Sequence, residues 1–94
     1  MIRSYKDKRT ERFSRGAAVK EFRPFEEAAE TRLSRLSAAD SLGDLAQVPG
    51  NRLEVLRGNR RGQHSIRIND KWRICFRWNE SDRCAEDVEI VDYH

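Results

Sequence analysis

Hydrophobic positions in the first half of the chain recur at the spacing of an α-helix. One stripe with a 3.6-residue period contains Phe25, Ala28, Ala29, Arg32, Leu33 and Leu36. Pro24 suits the first turn of that helix, because a helix start leaves unpaired the N–H that proline lacks. Asp7 is a suitable N-cap for an earlier helix that ends at Gly16. Residues 2–5 are expected to form a short edge strand, and residues 41–45 a short turn of helix.

The period changes to two after the chain break at 49–51, which predicts β-strands in the second half. Alternation over 63–68 and 71–78 predicts the two arms of a β-hairpin. A shorter alternating segment at 52–57 precedes the hairpin, and a last strand over 88–93 closes the sheet.

The hairpin loop decides which side chains share a face of the sheet. A two-residue loop would place Ile68 opposite Lys71, and residues that pair across strands lie on the same face. A three-residue loop over 69–71 instead pairs Ile68 with Trp72 and gathers the apolar side chains together. We therefore predict the three-residue loop. The opposite face then carries Ser65, Arg67, Arg73, Cys75 and Arg77.

Helices followed by a meander of strands are typical of an α+β domain. A chain of 94 residues is too short for two separate cores, so we expect a single domain over 1–94. We predict that two N-terminal helices pack on one face of a small antiparallel β-sheet. The other face is expected to be open and lined by arginines, with Glu54 projecting from the first strand.

The distribution of charge adds a candidate partner to this picture. The formal net charge is only +3, from 19 basic and 16 acidic residues. Eight basic residues stand against three acidic ones over 3–23, and eight against two over 52–77. Basic blocks within a foldable segment indicate a polyanion partner, although a merely solvated surface is about equally compatible with them. RNA binding is assigned to six residues of the second block: Arg52, Arg60, Arg61, Arg67, Lys71 and Arg77.

Other classes of protein are disfavoured. No apolar stretch approaches the ~18 residues that span a bilayer, and the N-terminus lacks the apolar segment of a secretory signal. Cys75 and Cys84 are therefore expected to be reduced thiols in a cytoplasmic protein. No cysteines and histidines stand at metal-ligand spacing, so neither a metal nor a cofactor is expected. His64 falls on the apolar face and is expected to pack there.

The arginine-lined face has groups that suit metal-free cleavage of RNA, in which the 2′-hydroxyl attacks the adjacent phosphate. Glu54 is a candidate base, and Arg73 with Arg57 offers positive charge for the transition state. The C-terminus adds Asp92, Tyr93 and His94, and histidine is the natural acid near neutral pH. Structural alternatives remain open. Glu54 could serve only in an ion pair, Tyr93 could fill the core and His94 could be a frayed end.

Several motifs resemble the HigB family, whose members are toxins of bacterial type II toxin–antitoxin systems within the RelE/ParE superfamily. They are Gly50-Asn51-Arg52-Leu53, Leu56-Arg57-Gly58-Asn59-Arg60-Arg61-Gly62, Ser65-Ile66-Arg67-Ile68-Asn69-Asp70-Lys71-Trp72-Arg73-Ile74 and Val91-Asp92-Tyr93-His94. With Met1-Ile2-Arg3-Ser4-Tyr5, the resemblance covers essentially the whole chain, and it is closest to the GraT-like branch.

The resemblance implies a RelE-like fold and a ribosome-dependent endoribonuclease that cuts mRNA in the ribosomal A site. It also implies a HigA-type helix-turn-helix antitoxin, whose complex with the toxin binds operator DNA and represses the operon. Family positions important for activity carry over to Arg73, Asp92, Tyr93 and His94. Glu54 stands where some HigB proteins have a histidine, yet Glu54, Arg73 and His94 resemble the Glu–Arg–His set of the YoeB branch.

Two other functions remain open from the sequence. A ParE-like toxin would share the fold and inhibit DNA gyrase by binding alone, although the Asp92-Tyr93-His94 ending argues against it. A weakened nuclease, kept for antitoxin binding and regulation of its operon, would fit the loss of the family histidine at Glu54.

Overall fold

The computed structural model describes residues 1–92. The first helix follows a short N-terminal segment. Helix α1 spans Lys8–Ser14, and the side chain of Asp7 accepts a hydrogen bond of 2.7 Å from the Thr10 N–H. Gly16 follows the helix with φ of +97°, a left-handed conformation that glycine adopts at no steric cost. The predicted cap and the predicted stop are both confirmed, although the helix itself ends two residues before the glycine.

The second helix begins later than the proline signal indicated. Pro24 lies inside a 3₁₀ helix, Lys20–Phe25, and α2 spans Glu26–Ala38. Placing Pro24 in the first turn of α2 was therefore wrong. In a 3₁₀ helix, residues three apart lie on the same side. Phe22 and Phe25 can therefore both be buried in the core, which favours the 3₁₀ helix over an α-helix here. A short helix α3, Leu42–Ala46, confirms the turn of helix predicted over 41–45, and the Ser41 side chain caps it.

The second half forms a four-stranded antiparallel sheet in the order β1-β2-β3-β4. The strands are β1 Glu54–Val55, β2 His64–Arg67, β3 Trp72–Asn79 and β4 Cys84–Asp92. Ile66 pairs with Ile74 and His64 with Phe76, which confirms the three-residue hairpin loop.

Strand β4 begins four residues before the predicted start at Val88. A register shift opposite Cys75–Arg77 and the left-handed backbone of Asp87 (φ +52°) indicate a β-bulge there. The bulge interrupts the two-residue period, and the pattern therefore concealed the first half of the strand. Its predicted end at Tyr93 lies outside the described residues.

The N-terminal segment covers one edge of the sheet. Ile2 and Tyr5 each form a single parallel bridge to β4, at Ala85 and Val88, so the expected edge strand is reduced to two isolated contacts. The opposite edge of the sheet is β1, which has only two residues. No helix in the described part of the chain is long and apolar enough to cross a membrane.

Helices cover one face of the sheet and form the core with it. The buried side chains include Phe22, Leu33, Leu36, Ile66, Ile74, Phe76, Val88 and Ile90. Trp72 joins the helices to the sheet through ring contacts with Phe22 and Phe25, at centroid distances of 5.8 and 4.9 Å. The predicted α+β architecture, with helices on one face of an antiparallel sheet, is confirmed.

The other face, called the arginine face from here on, carries Glu54, Ser65, Arg67, Arg73, Cys75, Arg77 and Glu89. It is less open than expected, because Ser65 and Cys75 are fully buried and Glu89 is 7% exposed. Two of these buried residues contact arginines, because Arg73 donates a hydrogen bond to Ser65 and Arg60 forms an ion pair with Glu89. Both cysteines are free, as predicted. Both are also buried, and burial raises the pKa of the Cys75 thiol.

Candidate active site

A row of polar residues crosses all four strands of the arginine face. The strand register aligns Glu54 with Ser65, Ser65 with Cys75, and Cys75 with Glu89. The neighbouring row pairs Arg67 directly with Arg73. Two arginines opposite each other repel, so this arrangement needs anionic partners.

Arg73 is held in one orientation by three contacts. Its Nε donates a hydrogen bond of 2.7 Å to Ser65 Oγ, and its Nη2 donates one of 2.7 Å to the Arg52 carbonyl. The same Nη2 lies 3.4 Å from Glu54 Oε1. The Arg73 side chain is only 11% exposed, and its Nη1 makes no hydrogen bond within residues 1–92. A fixed guanidinium with a free nitrogen is suited to binding an anionic oxygen.

The Arg52 carbonyl reaches Arg73 from a strained backbone. Arg52 has φ of +45°, a left-handed conformation that costs a residue other than glycine of order 1–3 kcal/mol. The preceding Asn51 is fully buried and fixes the segment. Its Nδ2 donates to the Leu45 carbonyl at 3.0 Å, its Oδ1 accepts from Arg32 Nη1 at 2.6 Å, and its carbonyl accepts from the Arg67 N–H at 2.6 Å.

The environment of Glu54 is compatible with both roles that the sequence left open, an ion-pair partner and a catalytic base. It forms an ion pair with Arg73, yet its side chain is 54% exposed, so its carboxylate is accessible to a substrate. Because β1 is an edge strand, Glu54 stands at the rim of the arginine face rather than beneath it. Arg57 is exposed and precedes the 3₁₀ helix Gly58–Arg60 in the loop that follows β1.

The C-terminal candidates are not grouped with Glu54 and Arg73 by the described residues. Asp92 pairs with Trp72, whose ring packs on the helices, so the register places Asp92 on the helix-covered side of β4. Tyr93 and His94 lie outside the described residues. Their catalytic roles, and that of Asp92, stay predictions.

The comparisons with known proteins agree with this fold. Residues 3–94 match the profile of the HigB-like toxins, described as the RelE-like toxin of the type II toxin–antitoxin system HigB. The chain belongs to this family. Toxin HigB-1 of Vibrio cholerae serotype O1 (strain ATCC 39315 / El Tor Inaba N16961) is 39% identical to it over 80 residues, which are 83% of this chain and 84% of that protein.

The fold of this toxin also occurs among solved structures. A chain of the YoeB–YefM complex from Staphylococcus aureus superposes with a TM-score of 0.56 and 17% sequence identity, over 100% of the toxin and 98% of that chain. The resemblance to the HigB family and the RelE-like fold are thus confirmed, and the toxin is a component of a type II toxin–antitoxin system. Its place in the GraT-like branch stays a prediction.

The six residues assigned to RNA binding occupy different environments in the toxin. Arg60 points inward, because its Nη1 lies 2.6 Å from Glu89 Oε1 and 3.2 Å from Gln63 Oε1. This ion pair neutralises a buried carboxylate, which makes Arg60 a weaker candidate for contacting RNA. Arg67 and Arg77 form more exposed ion pairs with acidic neighbours. The remaining three are exposed and have no ion pair with any described residue: Arg52, Arg61 and Lys71.

Three residues that shape the site received no role from the sequence, although Ser65 was placed on the correct face. Ser65 and Glu89 are polar residues that alternate with apolar ones on buried strands, and this pattern was a usable signal for the arginine face. Asn51 follows the turn glycine of a chain break, where an asparagine signals only a turn. None of the three stands at a spacing that marks a catalytic motif.

His64 lies on the helix-covered face as predicted, stacked on Phe76 at a centroid distance of 5.9 Å. Burial lowers the pKa of its imidazole, and the nearby Glu80 opposes this only partly. Its Nδ1 is buried and has no hydrogen-bond partner among residues 1–92. Within the 92 described residues, no group of three or more histidine, cysteine or acidic side chains is placed to hold a metal ion.

Proposed function

We propose that this toxin is a ribosome-dependent, metal-independent endoribonuclease that cuts mRNA in the bacterial cytoplasm and so inhibits translation. The observation that supports the proposal most directly is the contact between Arg73 and Glu54. A nearly buried guanidinium, one nitrogen of which has no hydrogen-bond partner in residues 1–92, lies 3.4 Å from an accessible carboxylate on the same face of the sheet. This spacing supports the proposal that a positive charge and a proton acceptor act on one phosphodiester.

The proposed reaction is a transesterification within the RNA strand. The Glu54 carboxylate accepts the proton of the 2′-hydroxyl, and the 2′-oxygen then forms a bond to the adjacent phosphorus. Arg73 and Arg57 stabilise the negative charge that develops on the phosphoryl oxygens. The bond to the 5′-oxygen breaks, and His94 donates a proton to that leaving group. The products are a 2′,3′-cyclic phosphate and a 5′-hydroxyl.

The remaining candidates have supporting roles in this proposal. Asp92 is assigned to stabilise the positive charge of His94 when that residue acts as the acid, because a nearby negative charge stabilises a cation. Tyr93 is assigned to the same catalytic segment. The exposed side chains of Arg52, Arg61 and Lys71 bind RNA phosphates, and Arg67 and Arg77 do so by exchanging an acidic partner for a phosphate.

We also propose that a HigA-type helix-turn-helix antitoxin neutralises the toxin. Membership of a type II toxin–antitoxin family and the likeness to YoeB, solved in complex with YefM, support a protein antitoxin. In this proposal the toxin contacts operator DNA only through its complex with the antitoxin.

The proposal is tested by mapping new 5′ ends on cellular mRNAs after brief expression of the toxin. We expect new ends within translated codons for the wild type, and far fewer for Glu54→Ala, Arg73→Ala and His94→Ala. Lys20→Ala is the matched control, because this exposed lysine lies in the 3₁₀ helix at the N-terminal end of α2, away from the arginine face. Growth arrest without new ends would instead favour inhibition of DNA gyrase, and neither arrest nor new ends would favour a protein kept for antitoxin binding.

A further inference from the structure

A second group of arginines lies where α2 meets the segment before β1. Arg32 and Arg35 are three residues apart on α2, so they lie on neighbouring positions of one helix face. Arg32 Nη1 donates to Asn51 Oδ1 at 2.6 Å, and the Arg67 N–H donates to the carbonyl of the same Asn51. Asn51 therefore brings Arg67 of the sheet beside the two helical arginines. We call Arg32, Arg35 and Arg67 the Arg32 cluster.

The cluster lacks the anions that usually accompany such a concentration of charge. Neither Arg32 nor Arg35 forms an ion pair with any residue in the described range 1–92, and the single partner of Arg67 is Asp70, whose side chain is 97% exposed. Burial and the charges of Arg35 and Arg67 lower the pKa of Arg32. Three cations that repel one another reduce stability, and an anion bound among them removes that repulsion.

The guanidinium of Arg32 is held in one position by the segment that precedes β1. A Cβ at Gly50 would lie 2.9 Å from Arg32 Nη2, so the absence of a side chain there allows the guanidinium to lie against the chain. Nη1 is occupied by Asn51, whereas Nε and Nη2 make no hydrogen bond with residues 1–92. Two adjacent donors of a fixed guanidinium match two oxygens of a phosphate.

We propose that the Arg32 cluster binds a backbone phosphate of the RNA strand that the arginine face receives. This rests on the proposed function and extends it from the catalytic residues to a second phosphate site on α2. The two sites are adjacent in the chain, since Asn51 holds Arg32 and the next carbonyl, that of Arg52, holds Arg73. An RNA strand that leaves Arg73 past Arg67 meets the cluster next.

An acidic segment of a protein is the alternative occupant, and the position of the cluster argues for RNA. Arg67 belongs to both the arginine face and the cluster, so the cationic surface is continuous between the two. Phosphates recur along the whole length of a nucleic acid strand and can occupy both sites at once.

The test measures binding of a 12-nucleotide 2′-O-methyl RNA, which the toxin cannot cleave, over a series of salt concentrations. The main variant is Arg35→Gln, because Arg35 is exposed and makes no hydrogen bond or ion pair with residues 1–92. Arg32→Gln is the second variant, and thermal unfolding reports whether it folds. Arg83→Gln is the matched control, since it removes one exposed arginine beyond the far end of β3, where Asn79 is about 20 Å from Arg73 at ~3.3 Å per residue.

We expect Arg35→Gln to raise the Kd about two- to five-fold at moderate salt. The slope of log Kd against log salt should fall by about 0.7, the value for one phosphate contact to a single strand. Arg83→Gln should leave both values unchanged. The proposal is overturned if Arg35→Gln and a folded Arg32→Gln behave like the control, or if wild-type toxin does not bind the RNA.

Two further measurements distinguish this proposal from binding of an acidic protein segment and from the proposed nuclease function. Binding of a 12-residue polyglutamate peptide is measured with the same proteins. A wild-type affinity for the peptide that equals the affinity for RNA, with the same loss in Arg35→Gln, would overturn RNA as the occupant. Mapping of 5′ ends addresses the nuclease itself. If wild-type toxin cleaves mRNA and Arg35→Gln binds RNA normally, the second phosphate site is wrong and the proposed nuclease function stands. If RNA binding depends on Arg35 but wild-type toxin does not cleave, the second phosphate site stands and the proposed nuclease function is wrong.

Discussion

Replacing Ser65 by alanine removes the buried acceptor that orients the Arg73 guanidinium. The Nε–Oγ hydrogen bond is 2.7 Å long, Ser65 is fully buried, and Arg73 is 11% exposed, so water replaces the lost acceptor poorly. A hydrogen bond to a charged group contributes about 1.5–3 kcal/mol. The contacts of Arg73 with Arg52 and Glu54 remain, which places the loss near the lower value. Because 1.4 kcal/mol is a factor of ten in rate, we expect cleavage to slow about tenfold.

The assay is the initial rate of mRNA cleavage on programmed ribosomes, for Ser65→Ala, Arg73→Ala and the double variant. If Ser65 acts only through Arg73, Ser65→Ala changes the rate less than twofold once Arg73 is alanine. Ser65→Thr keeps the hydroxyl and should restore most of the rate, even if its extra methyl group lowers stability at this buried position. Thermal unfolding of each variant separates slower cleavage from a loss of folded protein.

Two results would refute this reasoning. Cleavage by Ser65→Ala at the wild-type rate would show that the Arg52 carbonyl and Glu54 are sufficient to hold Arg73. A full tenfold loss in the Arg73→Ala background would show that Ser65 affects the site by another route, such as packing within the sheet.

Three further predictions concern stability. The pKa of His64 is lower in the folded than in the unfolded protein, so unfolding takes up a proton at acidic pH. The free energy of unfolding should therefore fall as pH decreases below about 6.5. His64→Gln should make the free energy of urea unfolding less dependent on pH in this range, and an unchanged pH dependence would contradict the prediction. Glu89→Gln removes the nearly buried carboxylate that pairs with Arg60 and should cost about 1–3 kcal/mol in urea unfolding. A cost below about 0.5 kcal/mol would contradict a stabilising role for this pair. Gly50→Ala would place a Cβ 2.9 Å from Arg32 Nη2 at a strained φ of +88°, whereas Gly16→Ala has a similar φ of +97° and open space around the new Cβ. We expect Gly50→Ala to lower the melting temperature more than Gly16→Ala. Equal decreases would show that the contact with Arg32 does not matter for stability.

The sequence predicted the sheet well because one register satisfied the hydrophobic pattern. Ile66 and Ile74 could share a face only if the hairpin loop had three residues, so the loop length followed from burial alone. The same argument failed at β4, since a bulge at Asp87 breaks the two-residue period. It also misplaced Pro24, because local preference for a helix start was weaker than the burial of two phenylalanines in a 3₁₀ helix.

Prediction of the candidate site had a different limit, namely that the sequence identifies charges but not what orients them. Alternation alone placed Arg73 and Glu54 on the same face, and the structure adds that they lie 3.4 Å apart. The contacts of Arg73 with the Ser65 hydroxyl and the Arg52 carbonyl were not predicted. Both residues belong to the family motifs, but a motif does not show which atoms meet, and a backbone carbonyl leaves no trace in a residue pattern. That carbonyl reaches Arg73 only because Asn51 holds a left-handed turn against α2 and β2. The site therefore depends on contacts between segments distant in the chain, and the toxin's second half would not position Arg73 in the same way without the helices.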